Sequence, residues 1–326
     1  MPILYWENVV FKNLDGEAFG ITGRQNEVIE LALSYQFKGI NVDIGEMLSR
    51  AKASGQEFAT RYIESAKIRI GAFKLPIKLT GDKEAFQASL EKLRECCELA
   101  KVIKATRCLY ELEPASGNLP YHENFELHRE RLGVIADMLK EYGIHLGIGF
   151  NAIPKRRQGK TYEFIFEAEP TLTLIRTIGR PNVGLFLDLW QWVLGDGGMD
   201  QLGELKADQI VAVKLADIPD DADLSKISPE QRLLPGTAEG SKCVEALKAL
   251  HAMGYEGPIT PSQSPSQFSR MPRETMVQRT REAMDNVLEK AGIIAPRRIM
   301  PVVVAPVVEE EEVDESLEVD FEDAET

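Results

Sequence analysis

Two charged residues stand at positions where strands usually carry apolar side chains. Asp188 ends the apolar run Val183–Leu187, and Lys214 interrupts the run Ile210–Leu215. Neither charge has a packing use there, and a buried charge is costly unless it is paired or hydrogen-bonded. A carboxylate and an ammonium group in such places can bind a polar ligand and transfer protons. A Schiff base on Lys214 is a further alternative, but it needs a depressed pKa that a sequence does not reveal.

Groups that recognise sugars or anions lie in the neighbouring segments. The loop Pro154–Lys160 holds four cations within six residues, namely Lys155, Arg156, Arg157 and Lys160. Guanidinium groups can bind phosphate or carboxylate through two parallel hydrogen bonds. Trp190 and Trp192 flank Gln191 just after Asp188, and aromatic faces can stack on the apolar face of a sugar. A solvated loop and an aromatic roof over the core are the alternative interpretations.

The elements that must position these residues follow a repeating pattern. Eight short aliphatic runs are each predicted to be a strand, and longer segments with helical spacing separate them. Eight such units match a (β/α)8 TIM barrel, an α/β fold that we assign to residues 1–294. An open doubly wound sheet has the same local pattern, but no GxGxxG follows the first strand. The predicted strands are Ala18–Ile21, Gly39–Asp43, Ile68–Leu75, Thr106–Tyr110, Ile144–Phe150, Val183–Asp188, Ile210–Ala216 and Gly257–Pro261.

The predicted helices alternate with these strands, and several end at a glycine where the chain turns back. They are Asn26–Tyr35, Lys83–Ile103, His122–Tyr142, Tyr162–Ile178, Ser241–Met253 and Met284–Ala291. Four histidines occur, and none falls at the carboxyl end of a predicted strand. The four cysteines, Cys96, Cys97, Cys108 and Cys243, contain no CxxC pair, so we interpret them as reduced packing thiols.

The carboxyl-terminal part of the chain changes character. Residues 295–308 form a linker rich in Pro and Val, and residues 309–326 form an acidic tail for which we predict disorder. The tail has 11 acidic residues and no Lys or Arg, whereas the whole chain has a net charge of −14, so the remainder carries only −3. This balance argues against a nucleic-acid partner. The tail is either a solvated segment or a docking segment for a protein partner.

The sequence contains neither a run of about 20 apolar residues that would cross a bilayer nor a secretory signal. No membrane association is expected, and the predicted location is cytoplasmic.

Several segments, in order, resemble the xylose-isomerase-like barrels of the sugar phosphate isomerase/epimerase family. The resemblance is carried by Leu119–Phe125, Leu146–Phe150, Pro181–Asp188, Val213–Asp217, Arg232–Gly236 and Gly254–Ile259. It implies a barrel with its site at the carboxyl ends of the strands. Metal-dependent members place Glu, Asp, His and Glu on strands five to eight around one divalent cation, which polarises a carbonyl group while a carboxylate moves a proton.

The positions that match this ligand set are largely replaced. The fifth-strand Glu corresponds to Gly149, the seventh-strand His to Lys214, and the last Glu to Gln263 or Ser262. Asp188 is retained, as is the Asp that commonly follows the His, Asp217, whereas a further His corresponds to Gln191. An ammonium group repels a dication. We therefore predict no metal and no other cofactor, with Lys214 in the place of the ion and paired with Asp188.

The resulting prediction is a barrel that binds a small sugar, polyol or sugar phosphate and that needs no metal if it is catalytic. The alternative is a pseudoenzyme that acts as a ligand-binding or scaffold protein. An abasic-site endonuclease is disfavoured because strand-end histidines and a basic groove are missing. The predicted catalytic residues are Asp188, Lys214 and Asp217, and the predicted substrate-binding residues are Glu113, Lys155, Arg156, Arg157, Trp190, Gln191, Arg232 and Gln263.

Overall fold

Eight parallel strands close into a barrel in this computed structural model, which describes residues 10–21 and 25–294. The strand order around the barrel is β1-β2-β3-β4-β6-β8-β9-β10, and β10 pairs with β1 to close it. The predicted TIM barrel is thereby confirmed. The barrel strands are β1 (Phe11–Leu14), β2 (Gly39–Val42), β3 (Arg69–Lys74), β4 (Arg107–Leu112), β6 (His145–Phe150), β8 (Val183–Asp188), β9 (Ile210–Leu215) and β10 (Pro258–Pro261).

The helices pack around the outside of the barrel, and the main apolar core lies between the two layers. They are α1 (Gln25–Ser34), α2 (Ile44–Ser54), α3 (Gln56–Ala66), α4 (Lys83–Val102), α5 (Tyr121–Glu141), α6 (Ala168–Ile178), α7 (Leu189–Leu194), α8 (Met199–Gly203), α9 (Cys243–Met253) and α10 (Arg273–Lys290). Local capping fixes several ends: Asp43 and Asp82 accept backbone hydrogen bonds at the starts of α2 and α4. No helix of the described residues is long and apolar enough to cross a membrane.

The first strand lies earlier in the chain than predicted. The segment Ala18–Ile21 contains part of a short 3-10 helix, and β1 is instead Phe11–Leu14. Two polar residues concealed this strand. Lys12 is paired with Asp285 of α10, with Nζ and Oδ1 2.6 Å apart. Asn13 is fully buried and donates hydrogen bonds to Asn41 and Thr260. Both partners are distant in sequence, so local periodicity did not reveal them.

Other element boundaries also differ from the prediction. The segment predicted as the helix Tyr162–Ile178 opens with β7 (Tyr162–Glu163), which pairs antiparallel with β5 (Ala115–Ser116), and α6 begins only at Ala168. This small sheet ties together the loops that follow β4 and β6. The helices α2 and α3 were not predicted, and the last predicted helix, Met284–Ala291, is the second half of α10. The predicted linker and acidic tail lie outside the described residues.

The cysteines are all free and buried, in agreement with their interpretation as packing thiols. Burial raises the pKa of Cys96 to about 11 and that of Cys97 to about 12. Because the thiolate is the reactive form, these thiols are inert at neutral pH.

A buried histidine sits beneath the loop after β7. His128 of α5 is hydrogen-bonded through Nδ1 to the carbonyl oxygen of Asn124 (2.8 Å) and through Nε2 to the hydroxyl of Tyr110 (3.2 Å). Its ring also packs against Phe164, with the ring centroids 4.8 Å apart. Burial lowers the pKa of His128 to about 4, which keeps the ring neutral. These contacts support a structural role for His128.

This burial predicts an acid sensitivity of folding. The unfolded chain takes up the proton near the ordinary pKa of 6.5, so folding stability declines as the pH falls from about 6.5 to about 4. We expect His128→Gln to remove up to about 3 kcal/mol of this decline. Urea denaturation at pH 7 and pH 4 measures it. His122→Gln, an exposed change on the same helix, is the control and should retain the decline. An unchanged pH dependence in His128→Gln would contradict the assignment.

Candidate functional site

The carboxyl ends of the barrel strands form a polar mouth. Asp188 on β8 lies in register with Lys214 on β9, which in turn lies beside Thr260 on β10. On the other side of the mouth, Glu111 on β4 is in register with Gly149 on β6. Residues in register on parallel strands share a face, so this layer points into the barrel.

Arg232, from the loop after β9, neutralises Asp188. Its Nη1 and Nη2 each lie 2.9 Å from Oδ2 of Asp188, and both side chains are almost fully buried. The other carboxylate oxygen of Asp188 accepts a hydrogen bond from the backbone of Trp190. Arg232 also donates to Ser262 and lies over the ring of Trp190, 4.7 Å from the centroid. Both oxygens of Asp188 are therefore occupied.

Lys214 does not pair with Asp188, so that part of the prediction is wrong. Its Nζ lies 3.6 Å from Oδ2 of Asp15, at the end of β1, and 5.9 Å from the centroid of the Phe186 ring. The ammonium group forms no hydrogen bond with any residue that the structure describes, and its side chain is only 19% exposed. A charged donor that is largely enclosed and has no hydrogen-bond acceptor is costly, and a ligand in the mouth would relieve this cost.

Glu111 is a further carboxylate of the mouth; its place after the predicted fourth strand indicates a mouth position, but the predicted site residues include Glu113 in its stead. Burial raises the pKa of Glu111, and a hydrogen bond from Asn151, 3.0 Å long, partly opposes this rise. Asp188 also raises this pKa, whereas Lys214 and Arg232 lower it, so the four charges share one field. The predicted strand ended at Tyr110, but β4 continues to Leu112. The alternation of sides along β4 then directs Glu111 into the barrel mouth, where its side chain is still exposed to solvent, and the predicted Glu113 is exposed beyond the strand.

The first three strands complete the mouth. Asn13 joins β1 to β2 and β10 through hydrogen bonds to Asn41 (2.9 Å) and Thr260 (3.0 Å). Lys74, at the end of β3, is paired with Glu17, with 2.7 Å between Nζ and Oε1. Asp15 and Glu17 were not predicted because β1 was placed too late in the chain. Their position directly after Phe11–Leu14 would have revealed them.

Three predicted binding residues, Gln191, Trp190 and Gln263, are buried. The side chain of Gln191 accepts a hydrogen bond from the backbone of Ala152, 2.8 Å long. Trp190 is 1% exposed beneath Arg232 and packs in a small apolar cluster with Ile153 and Ile227. Gln263 is buried, and its Oε1 has no hydrogen-bond partner within the described part of the chain. The binding roles of these residues stay predictions.

Asp217 lies just below the rim and anchors the loop that carries Arg232. Its carboxylate accepts hydrogen bonds from the backbones of Thr237 and Ala238 and from Ser241. The Sγ of Cys243 lies 3.1 Å from Oδ1. The backbone of Asp217 both donates a hydrogen bond to Leu233 and accepts one from it, and Leu233 is the neighbour of Arg232 in the chain. These contacts support a positioning role for Asp217.

The basic loop lies at the rim of the mouth. Lys155 and Arg156 occupy a short 3-10 helix, Pro154–Arg156, and are exposed. Arg157 is turned inward: it lies 3.8 Å from the centroid of the Phe166 ring and donates to the carbonyl oxygen of Ala152. The structure therefore separates two exposed cations from one that packs the loop.

The family assignment follows from comparison with known proteins. Residues 29–290 match the family described as xylose isomerase-like TIM barrel. The chain belongs to this family.

Solved structures share the fold at low sequence identity. A xylose isomerase domain protein from Alicyclobacillus acidocaldarius is 20% identical with a TM-score of 0.78, and the match covers 87% of this chain and 99% of that one. The IOLI protein, solved with a bound zinc atom, is 16% identical with a TM-score of 0.72, covering 86% and 99%. D-psicose 3-epimerase, solved in the presence of D-fructose, is 13% identical with a TM-score of 0.67, covering 86% and 99%. No curated protein matches by sequence.

The residues at the mouth do not fit the divalent metal that the family resemblance implies. A side chain at position 149 would begin with a Cβ only 2.9 Å from Cδ1 of Phe186, so the place of the fifth-strand ligand is filled by an aromatic ring. Asp188 has both oxygens engaged, and Lys214 offers only donors. Within the described residues, no three His, Cys, Asp or Glu side chains are grouped so that they could hold a metal ion.

The close packing at position 149 predicts that a larger residue there lowers the free energy of unfolding. We expect Gly149→Ala to destabilise folding by about 1–3 kcal/mol because Phe186 must move. Gly133→Ala is the matched control: it lies within α5, and its Cβ would meet nothing within 4 Å. That change should be neutral or stabilise by up to about 1 kcal/mol through helix propensity. Chemical denaturation of both variants measures the difference, and equal effects would argue against the tight packing.

The pair of Arg232 and Asp188 predicts a strong coupling. Arg232→Met leaves a buried carboxylate without its partner and should cost about 3–5 kcal/mol. Asp188→Asn leaves the guanidinium group without its charge partner. We expect the double variant to be at least about 1 kcal/mol more stable than the sum of the single changes implies. A double-mutant cycle by urea denaturation measures this coupling, and additive effects would contradict the pair.

Proposed function

We propose that this protein binds a small neutral sugar or polyol in the barrel mouth and transfers a proton on it without a bound metal ion. The observation that carries the proposal is the pair formed by Lys214 and Glu111. The first is an enclosed ammonium group without a hydrogen-bond acceptor among the described residues, and the second is a carboxylate whose pKa is raised. Both groups face the barrel mouth. Lys214 has no hydrogen-bond acceptor among the described residues and Glu111 accepts one hydrogen bond, from Asn151, so both can form hydrogen bonds with a ligand.

The charges of the mouth favour a neutral ligand over a phosphorylated one. The cations Lys74, Lys214 and Arg232 each lie beside a carboxylate, and Glu111 adds a further negative charge. No excess of positive charge is left to hold a phosphate group. Hydroxyl groups, in contrast, can exchange hydrogen bonds with the amide and hydroxyl side chains that line the mouth: Asn13, Asn41, Asn151, Thr260 and Ser262.

The proposed chemistry uses the protein's own side chains. The Glu111 carboxylate removes the proton from the carbon next to the ligand's carbonyl group. The electron pair of the broken C–H bond moves onto the carbonyl oxygen, where the Lys214 ammonium group stabilises the developing negative charge. Glu111 then returns the proton to the same carbon, or to the former carbonyl carbon after a proton has passed from the neighbouring hydroxyl group to the former carbonyl oxygen. The raised pKa of Glu111 lies closer to neutral pH than that of an ordinary carboxyl group. Such a pKa suits a group that both accepts and donates a proton.

Two of the other predicted site residues, Asp188 and Asp217, position Arg232. Asp188 orients Arg232, and Asp217 holds the loop on which Arg232 lies. The exposed Lys155 and Arg156 lie at the rim and contact the ligand as it enters the mouth.

A non-catalytic ligand-binding or scaffold protein is the second candidate, and one observation favours it. Asp188, the one carboxylate retained from the ligand set of the metal-dependent members, is fully engaged by Arg232 and a backbone amide. A protein that had lost catalysis could keep such a pair for stability alone. The cytoplasmic location and a protein partner of the tail stay predictions from sequence.

Exchange of deuterium from solvent tests the proposal directly. D-Fructose and D-xylose are incubated with the protein in D2O, and incorporation beside the carbonyl is followed by mass spectrometry. We expect incorporation that persists in EDTA and falls by at least about 100-fold in Glu111→Gln, since general acid–base groups contribute about that factor. Glu113→Gln, an exposed change two residues away, is the matched control and should retain the exchange.

Binding separates the two candidates. Calorimetry should show binding of the same sugars and of xylitol, and weaker binding of fructose 6-phosphate. Lys214→Met should abolish this binding, and Lys74→Met, a change of a more exposed cation in the mouth, should leave it in place. Binding without exchange would favour the non-catalytic candidate. Stoichiometric metal in the purified protein, or exchange that depends on added Mn or Co, would overturn the proposal.

A further inference from the structure

A groove runs between α1 and α3 in the helical layer of the barrel. It contains a cavity of about 360 Å³ that is lined by side chains of both helices. Glu30 of α1 lies at the edge of this cavity and also lines a second one, towards the start of α10. We call this surface the α1–α3 groove; the residues that line its cavity are Asn26, Ile29, Glu30, Leu33, Tyr62, Ser65 and Ala66.

Large apolar side chains are exposed at this groove. Leu33, Phe58 and Tyr62 are 47%, 49% and 39% exposed, and they are three of the eight large apolar side chains that are exposed in the described part of the chain. Leu33 and Tyr62 line the cavity, and Phe58 lies one helical turn before Tyr62 on the same side of α3. Exposed apolar side chains that gather on one surface mark a site of protein association.

Arg61 of α3 lies over two of these aromatic rings. Its Cζ is 4.3 Å from the ring centroid of Phe58 and 4.6 Å from that of Tyr62. It donates a hydrogen bond to the hydroxyl of Tyr62 (2.8 Å) and forms no ion pair with a described residue, although Glu57 and Glu64 lie four residues before it and three residues after it. The guanidinium group is thus held against the groove, where it can pair with a carboxylate from another molecule.

Glu30 supplies the opposite charge on the other side of the groove. Its side chain is exposed and forms no ion pair within the described residues, whereas Glu27, one turn earlier, is paired with Arg273 at 3.0 Å. Glu30 lines the same cavity as Tyr62, and Arg61 lies over the ring of Tyr62, so the carboxylate and the guanidinium group stand at about the same height along the groove. The groove therefore carries one charge of each sign, on opposite sides of an apolar centre.

We propose that a second copy of this chain docks on the α1–α3 groove as a two-fold symmetric dimer. An axis that runs along the groove places α1 of one copy against α3 of the other, so that Arg61 of each copy faces Glu30 of the other. Leu33, Phe58 and Tyr62 of both copies then fill the centre, and aromatic and arginine side chains contribute most to such interfaces. The groove belongs to the helical layer, so this dimer does not depend on the function proposed for the mouth.

Sedimentation velocity of the full-length protein tests the dimer. Measurements at increasing micromolar concentrations, in about 0.15 M NaCl so that charges are screened beyond about 8 Å, should show a reversible equilibrium between monomer and dimer. Leu33→Asp places a charge in the apolar centre and should raise the dissociation constant at least about ten-fold. Leu224→Asp changes a leucine that is 48% exposed on the loop after β9; it is the matched control and should leave the association unchanged. Thermal unfolding monitors the folding of both variants.

A charge swap tests the pairing of the two charges. Arg61→Glu sets two carboxylates against each other and Glu30→Arg sets two guanidinium groups against each other, so each should weaken the dimer at least about ten-fold. The double variant Arg61→Glu/Glu30→Arg restores opposite charges across the interface and should recover most of the affinity. Lys140→Glu, on the exposed side of α5, changes the net charge as much as Arg61→Glu does and should leave the dimer intact.

Three results would overturn the proposal. The first is a full-length protein that stays monomeric at every concentration, which would leave the groove to a different occupant. The second is a dimer, or a larger assembly, that Leu33→Asp and Leu224→Asp affect equally. The third is a double variant that associates no more tightly than the single variants, because the two charges then do not meet across the interface.

Discussion

The ion pair between Arg232 and Asp188 determines how the rest of the mouth is arranged. A carboxylate at the end of β8 is enclosed by protein and needs a positive partner. The guanidinium group meets this need with two hydrogen bonds of 2.9 Å, and it also stacks on Trp190. Since Arg232 lies on a loop, Asp217 and the backbone of Leu233 must hold that loop in place. The polar groups after β9 thus hold Arg232 in the position where it neutralises Asp188 on β8.

The same pair leaves Lys214 without the partner that strand pairing would suggest. Lys214 and Asp188 are direct neighbours in the sheet, yet the carboxylate is taken by Arg232. The ammonium group instead lies 3.6 Å from Asp15, which follows β1 two strands away, and it shares its field with Glu111. A cation that belongs to the protein occupies a mouth in which metal-dependent relatives hold an ion. Glu111, the carboxylate whose pKa is raised, lies on β4, one strand away from the position where the family resemblance places a metal ligand.

The packing below the mouth leaves no room for a ligand side chain on the fifth barrel strand, β6. The glycines of β6 leave space that the ring of Phe186 on β8 fills, and the Cβ of a residue at 149 would lie 2.9 Å from that ring. Large and small residues on adjacent strands interdigitate in this way in close-packed interiors. A fifth-strand ligand cannot be restored by one substitution, because the ring beside it would also have to change.

The sequence by itself determined the class of fold. Seven of the eight predicted aliphatic runs are strands of the closed parallel barrel, and each has the length and the apolar character of a buried strand. The same runs located Asp188 and Lys214 correctly at strand ends, since a charge in an apolar run stands out locally. The replacement of the family's usual ligand types at Gly149, Lys214 and Gln263 stays a prediction from the sequence.

Only the tertiary structure decided which groups meet. The partner of Asp188 lies 44 residues away on a loop, and that of Asn13 lies 247 residues away on the last strand. No local pattern encodes such distances, because hydrogen bonds and ion pairs form wherever the closed barrel brings donors and acceptors together. For the same reason β1 was misplaced: the burial of Lys12 and Asn13 depends on Asp285 and Thr260. Glu111 became part of the site once β4 proved two residues longer, since each added residue reverses the side to which the next one points.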